Sequence, residues 1–425
     1  MKTAIVLGAA YGGSRAAQIL AAGIPKGWRI LLIDRNSHAN HVYVLPRFSV
    51  LPGHEHKAYQ VFQPHKDNHI VLHETVLSLT AKSVTLSRSF PEHGIATAEV
   101  PYDYAIYALG SHLPMPLDLW GTSEDSDYDG TKDKAIQWLK EKQKVIERAG
   151  SVLVVGGGAL GIQFATDIAA VHPSKKVILL HSRNKLLPRF EEGMHLEILR
   201  SLESLGIEVI LGERLDMSSS DKYNEAGQRV VRTLSGRDIN TDLMDISLFT
   251  SLLFTGQKLN TALLKGMGPK TVDAQTGLAR VLRTLQLSDQ ETDPDTLPAA
   301  LAKVSLDESA DPAQDREEIT THYPHIFAIG DAADAFGAIN TGHNAYYQGE
   351  VAARNVLRLI NDSDEPLEPY IPGPPAIKVS LGLTKGVYQV DGVIGVNNNG
   401  VEDLQAPAIW TYYGIQVEGE EQMYD

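Results

Sequence analysis

No cysteine occurs in the 425 residues. That absence removes disulfide frameworks, thiolate metal sites, CxxC redox pairs and any peroxidase working through a cysteine sulfenate. Long apolar runs are missing as well. No uncharged stretch reaches about 18 residues, the length a membrane-spanning helix needs. The N-terminus runs directly into the apolar residues 4–7, without the basic start and cleavage site of a signal peptide, so a cytoplasmic protein with no transmembrane segment is expected. Basic charge is also short: 38 Lys plus Arg stand against 53 Asp plus Glu, and a formal charge of −15 opposes nucleic acid or an anionic membrane as partner.

What remains is ordinary globular balance, 43% hydrophobic and 21% charged, in a chain longer than the roughly 250–300 residues at which single cores stop growing. Two or three domains are expected. Residues 3–7 read as a buried parallel strand, followed by Gly8, Gly12 and Gly13 and a helix whose inner face is Ala16, Ala17, Ile19 and Leu20. A second apolar strand at 29–33 closes a βαβ unit. The pattern then repeats: a strand at 151–155, the glycines Gly156 to Gly158 and Gly161, a helix face of Ile162, Phe164, Ala165, Ile168 and Ala169, and a strand at 176–180.

Between these units, residues 41–75 carry six histidines among prolines and glycines. Their spacing matches no ligand pattern, so a solvated loop is expected rather than a metal site. Residues 76–85 alternate like strands, 104–109 form another buried strand ending in Gly110, and 117–130 make an acidic connector. Residues 216–248 are polar with short strand-like pieces, 250–256 end the second unit, and 289–315 read as an acidic surface excursion. A strand at 326–331, a helix over about 342–360 and a Pro-rich 368–375 follow. The expected fold class is α/β: two Rossmann-like dinucleotide-binding domains plus a small α+β C-terminal domain. The expected division is 1–115 with 256–365, 116–255, and 366–425.

Small residues after a strand let backbone N–H groups and a helix dipole approach a pyrophosphate. Gly8, Ala10 and Gly13 hold those positions in the first unit, with Ala10 a departure, and Asp34, 21 residues beyond Gly13, stands where a ribose-binding acid belongs. The second unit has Gly156, Gly158 and Gly161 intact, but 20 residues on lies His181, followed by Arg183 and no acid. A missing acid with a nearby Arg is how such sites accept the 2′-phosphate of NADP, so NADPH is expected at least as readily as NADH. A third signal, Gly330-Asp331 at the end of a buried strand, puts a carboxylate where α/β ligands bind.

In this order, Gly8 to Gly13, 101–111 (PYDYAIYALGS), Gly156 to Gly161, 255–260 (TGQKLN) and 326–331 resemble the pyridine nucleotide-disulfide oxidoreductase superfamily. Within it, the chain looks most like the apoptosis-inducing-factor-like and ferroptosis-suppressor NAD(P)H:quinone oxidoreductases, which lack a redox disulfide, and the likeness extends to 379–386 (VSLGLTKG). The resemblance implies FAD between the first glycine turn (Gly8, Ala9, Ala10, Tyr11, Gly12, Gly13, with Asp34 and Arg35) and Gly330-Asp331. Val76 falls at the adenine end and Gly110 near the pyrophosphate. The nicotinamide nucleotide falls on the second turn. The usual Ala-Thr-Gly is here Ala108-Leu109-Gly110, the usual Glu is Gln163, and His343 stands where relatives carry a Lys beside the flavin. His343 reads either as a proton donor to the acceptor or as a helix-start residue. Arg47 reads either as a phosphate or flavin-carbonyl contact or as a surface salt bridge.

The expected activity is hydride transfer from NAD(P)H to FAD and electron transfer onward to a quinone-like or other small acceptor. Two rivals stay open: a biosynthetic flavin-dependent oxidase or dehydrogenase acting directly on a small molecule, and a redox-sensing flavoprotein. A homodimer is compatible with the sequence.

Overall fold

The computed structural model describes residues 1–112, 118–120, 127–219, 222–242, 258–290 and 321–424. The expectations for 250–256, for 291–315 and for parts of 117–130, 216–248 and 255–260 lie outside the described residues. The chain divides into two compact units. Unit 1 takes 1–34, 64–110 and 259–372, and unit 2 takes 35–63, 111–258 and 373–425. Residues 35–63, placed by sequence with the first domain, therefore cluster with unit 2, and so does most of the C-terminal segment.

Unit 1 is built on a six-stranded sheet in the order Gln286–Leu287, Tyr323–Ala328, Tyr104–Tyr107, Lys2–Leu7, Trp28–Asp34, His69–His73. All neighbours run parallel except the two-residue edge strand. A parallel strand covered on both faces must be apolar throughout, and Ala4, Ile5, Val6 and Leu7 are all buried. Parallel register also sets the C-terminal strand ends side by side, Leu7 opposite both Ile33 and Tyr107.

The first helix, Tyr11–Gly23, packs against the long helix Gly342–Ile360 through glycine. A Cβ on Gly12 would lie 2.5 Å from the Ala345 carbonyl oxygen, and one on Gly349 would lie 2.3 Å from the Gly12 oxygen. The helices touch backbone to backbone. Thr341 caps the long helix by accepting from the Asn344 amide at 3.2 Å.

Unit 2 carries a three-stranded parallel sheet, Ser151–Val155, Lys176–His181 and Glu208–Leu211, with helices Ala159–Val171 and Glu192–Ser204. Three antiparallel sheets belong to it among the described residues, of four, three and two strands, the three-stranded one being the C-terminal Ile377–Ser380, Gly386–Val390 and Val393–Asn397. Helix Lys132–Arg148, capped by Thr131, buries Trp138 and Leu139 against Leu45, Phe48 and Tyr59. The histidine-rich segment is thus no solvated loop. His56 and His69 are buried, and so are residues 44–50 and 55–60. Among the described residues no helix is long and apolar enough to cross a membrane.

Inside unit 2 one charge pair is wholly buried: Arg47 Nε donates to Asp167 Oδ1 at 2.7 Å, with both side chains at 0% exposure. Arg47 also donates to the Glu402 and Gly382 carbonyls at 2.8 and 2.6 Å, tying the turn Leu45–Phe48 to the helix Ala159–Val171 and the C-terminal sheet. Burial pushes the Asp167 carboxyl up to about 7, with the Arg47 charge opposing. The folded chain then holds a proton that an unfolded carboxyl, near about 3.9, has already lost. This group therefore costs stability increasingly as pH rises from about 4 to about 7.

The two partners are consequently unequal when lost. A lone Asp167 can take up a proton, whereas a lone Arg47 stays charged. Asp167→Leu should cost about 3–5 kcal/mol in urea unfolding, and Arg47→Met should cost less at low pH and progressively more as pH rises. Equal losses at every pH would contradict this asymmetry. Gly349→Ala forces a Cβ into backbone that cannot yield, and should cost about 1–3 kcal/mol by the same measurement.

Candidate functional site

In unit 1 the first strand ends in Gly8, whose φ of +92° a side chain would strain. A Cβ there would also lie 2.4 Å from the Ala108 carbonyl oxygen, and a Cβ on Gly13 would lie 1.8 Å from the Gly8 oxygen. These two glycines let the chain turn sharply and start the helix against the strand it has just left. Ala9 is buried, and Ala10, at the N-cap, is exposed. No side chain caps this helix and no acid sits in its first turn, so no side-chain charge of its own neutralises its positive end.

Asp34 closes the turn from the next strand: its Oδ2 accepts the Ala9 N–H at 2.7 Å. Two more strand ends reach the same sheet edge. Gly110, at φ +56° with open space beside it, accepts the Asn260 N–H at 2.9 Å. Asn260 also donates to the Leu109 carbonyl at 2.9 Å and accepts from the Tyr107 hydroxyl at 2.5 Å. Gly330, at φ +73°, donates to Gln348 Oε1 at 2.7 Å, and Asp331 lies beside it. Gly330 and Asp331 wall a recess together with Ile339, Asn340, Thr341 and Asn344.

Sequence reasoning did not single out Gln348 or Asn260. Gln348 and Asn355 are the polar side chains buried on a helix face otherwise made of Gly349, Val351, Ala352, Ala353 and Val356.

Other expected residues stand at varied distances from this edge. The Tyr11 ring packs over Gly342, where a Cβ would meet it at 2.8 Å. Val76 begins a small antiparallel sheet, paired with Leu86. His343 is exposed in the first turn of the long helix, edge-on to Tyr347 with ring centroids 4.8 Å apart.

Arg35, in unit 2, lays its guanidinium over Trp120 at 4.7 Å. Arg47 is a correction on both of its readings. It is neither a surface ion pair nor turned toward a ligand, because its buried guanidinium is bonded to three protein acceptors.

Unit 2 repeats the turn. Gly156, at φ +128°, donates to the Leu180 carbonyl at 2.8 Å, Gly158 is the N-cap of helix Ala159–Val171 with open space around it, and Gly161 is buried. This helix too lacks a side-chain cap and first-turn acids. Gly157, which the fingerprint leaves as a variable position, donates its N–H to His181 Nδ1 at 3.0 Å. A Cβ on Gly157 would lie 2.7 Å from the imidazole ring. The ring thus fills the role that Asp34 fills in unit 1. Burial first, and the Arg183 charge second, hold the imidazole below its ordinary pKa, while the Lys185 backbone pulls the other way. Arg183 is exposed. Gln163 is committed inward, donating to Ser380 Oγ at 2.9 Å.

Both turns fit a dinucleotide on their own evidence: helix starts without a side-chain cap or first-turn acid, and glycine where a side chain would block the backbone. Residues 2–286 match the pyridine nucleotide-disulphide oxidoreductase family. The chain is 40% identical to Fe-regulated protein 8 of Mycosarcoma maydis, over 98% of this chain and 96% of that protein. It is 26% identical to ferroptosis suppressor protein 1 of Taeniopygia guttata, over 91% and 88%. Among solved structures, the sulfide:quinone oxidoreductase of Aquifex aeolicus superposes with a TM-score of 0.66 at 14% identity, over 99% of this chain and 94% of that one. The chain belongs to the pyridine nucleotide-disulphide oxidoreductase family, as an NAD(P)H-dependent flavoenzyme that contains no cysteine.

Proposed function

We propose that this protein passes reducing equivalents from NAD(P)H through FAD to a quinone-like or other small acceptor, with FAD on unit 1 and the nicotinamide nucleotide on unit 2. The observation that carries this reading is the duplicated glycine turn, closed in each unit by a hydrogen bond to the side chain that ends the next strand. With no cysteine in the chain, no internal dithiol can relay electrons, so the acceptor has to meet the flavin itself. The quinone-like class follows from the resemblance to ferroptosis-suppressor-type oxidoreductases.

Bound flavin supplies the hydride-accepting and electron-donating chemistry. The chain's own groups bind and orient. Gly8 to Gly13 offer amides to the pyrophosphate, Asp34 holds the turn and faces the ribose, and Gly110, Gly330 and Asp331 border the same edge. On unit 2, Gly156 to Gly161 do the equivalent work, and Arg183 offers a guanidinium to a 2′-phosphate. His343, exposed at the start of its helix, can donate a proton to the acceptor oxygen and recover it from water.

Anaerobic stopped-flow reduction with NADH and NADPH in parallel tests the reading. Rapid bleaching of the flavin band by either supports it, and no bleaching by either would transfer the role of reductant to the substrate itself, as in a biosynthetic oxidase. NADPH should be preferred. Arg183→Ala should weaken NADPH binding by about ten- to a hundredfold and leave NADH nearly unchanged. In the second half-reaction, His343→Ala should slow reoxidation by a quinone about a hundredfold without altering reduction. An unchanged rate would return His343 to a helix-start role.

A further inference from the structure

We propose that His181 is the positioning residue of the second glycine turn, and that a proton on its ring opens the turn and releases the nucleotide from unit 2. The proposal deepens the dinucleotide reading of unit 2 and rests on it.

The two units solve one problem with different chemistry. In each, an amide of the glycine turn needs an acceptor from the residue that ends or follows the next strand: Ala9 finds Asp34 Oδ2 at 2.7 Å, and Gly157 finds His181 Nδ1 at 3.0 Å. A carboxylate goes on accepting down to its own acid range. An imidazole nitrogen accepts only while it carries a lone pair. With Nδ1 facing a donor, the neutral ring keeps its proton on Nε2, which is buried. Adding a second proton sets N–H against N–H across 3.0 Å. A ring flip offers no escape, because it would turn a carbon toward the amide. The ring is also pressed against Gly157, where even a Cβ would stand 2.7 Å from Cγ and Cδ2 and 2.4 Å from Leu186 Cδ2.

The charged groups around the ring mostly resist protonation. Arg183 repels the proton and a Lys185 backbone group attracts it. The Lys185 ammonium is occupied by the Phe190 carbonyl and Glu192. The Glu213 carboxylate is held by Thr233, Ser235 and Arg237, although its backbone amide donates to the His181 carbonyl at 3.2 Å. The turn therefore stays closed near neutrality and opens in acid.

The test is calorimetric titration of the flavin-loaded protein with ADP-ribose, whose pyrophosphate does not titrate near neutrality and which has no 2′-phosphate. Wild-type affinity should fall by about tenfold per pH unit once the pH is below the ring's pKa, with flavin absorbance showing that unit 1 stays loaded. His181→Asn places an amide oxygen where Nδ1 stands and should bind with no such slope. His181→Leu removes the acceptor and should bind about tenfold more weakly at every pH. A wild-type affinity that stays flat down to the most acid pH at which flavin absorbance shows unit 1 still loaded, or an equal slope in His181→Asn, overturns the assignment and leaves the nucleotide site standing. No binding by any of these proteins at any pH overturns the dinucleotide reading of unit 2, and this assignment with it.

Discussion

The first helix can begin where it does only because nothing projects from Gly13 toward the Gly8 carbonyl, a gap in which a Cβ would stand at 1.8 Å. This backbone-on-backbone contact sets the helix start directly above the end of its strand, so the glycine turn, the positive helix end and the Asp34 carboxylate share one edge of the sheet. On the opposite flank, Gly12 and Gly349 allow the long helix an equally close approach. That approach brings Gln348 under Gly330, and the bond between them shapes the third element of the edge. Remove either contact and the groups would still be present but no longer adjacent.

Unit 2 keeps the same geometry under different electrostatics. Where unit 1 closes its turn with an acid, unit 2 uses a neutral ring beside an exposed guanidinium. The exchange removes a negative charge from the turn and leaves a positive one beside it. It also makes one hydrogen bond depend on a proton. Deeper in the unit, the buried pair of Arg47 and Asp167 serves cohesion rather than ligand contact, binding three stretches of chain through a single guanidinium.

The legible parts of this architecture were those written in short spans. Each strand, turn and helix start lies within about a dozen residues, and the spacing from Gly13 to Asp34 covers one βαβ unit. The helix 342–360 was readable in its extent for the same reason. The histidine-rich segment reads as solvated because polarity suggests exposure, whereas His56, stacked on Tyr424, and His69 are buried. Arg47 was misjudged because its partners stand 120, 335 and 355 residues away.

Sequence by itself determined the two glycine turns, the strands that precede them, the acid of the first and the missing acid of the second. These follow from backbone sterics and local periodicity, which act between near neighbours and leave a pattern that can be counted. Tertiary structure alone decided which amide each side chain would meet: Gly157 on His181, Gly330 on Gln348, Asn260 on Gly110. Hydrogen bonds are formed by proximity in space, and once the chain folds back on itself, proximity is set by packing between distant segments rather than by the order of residues.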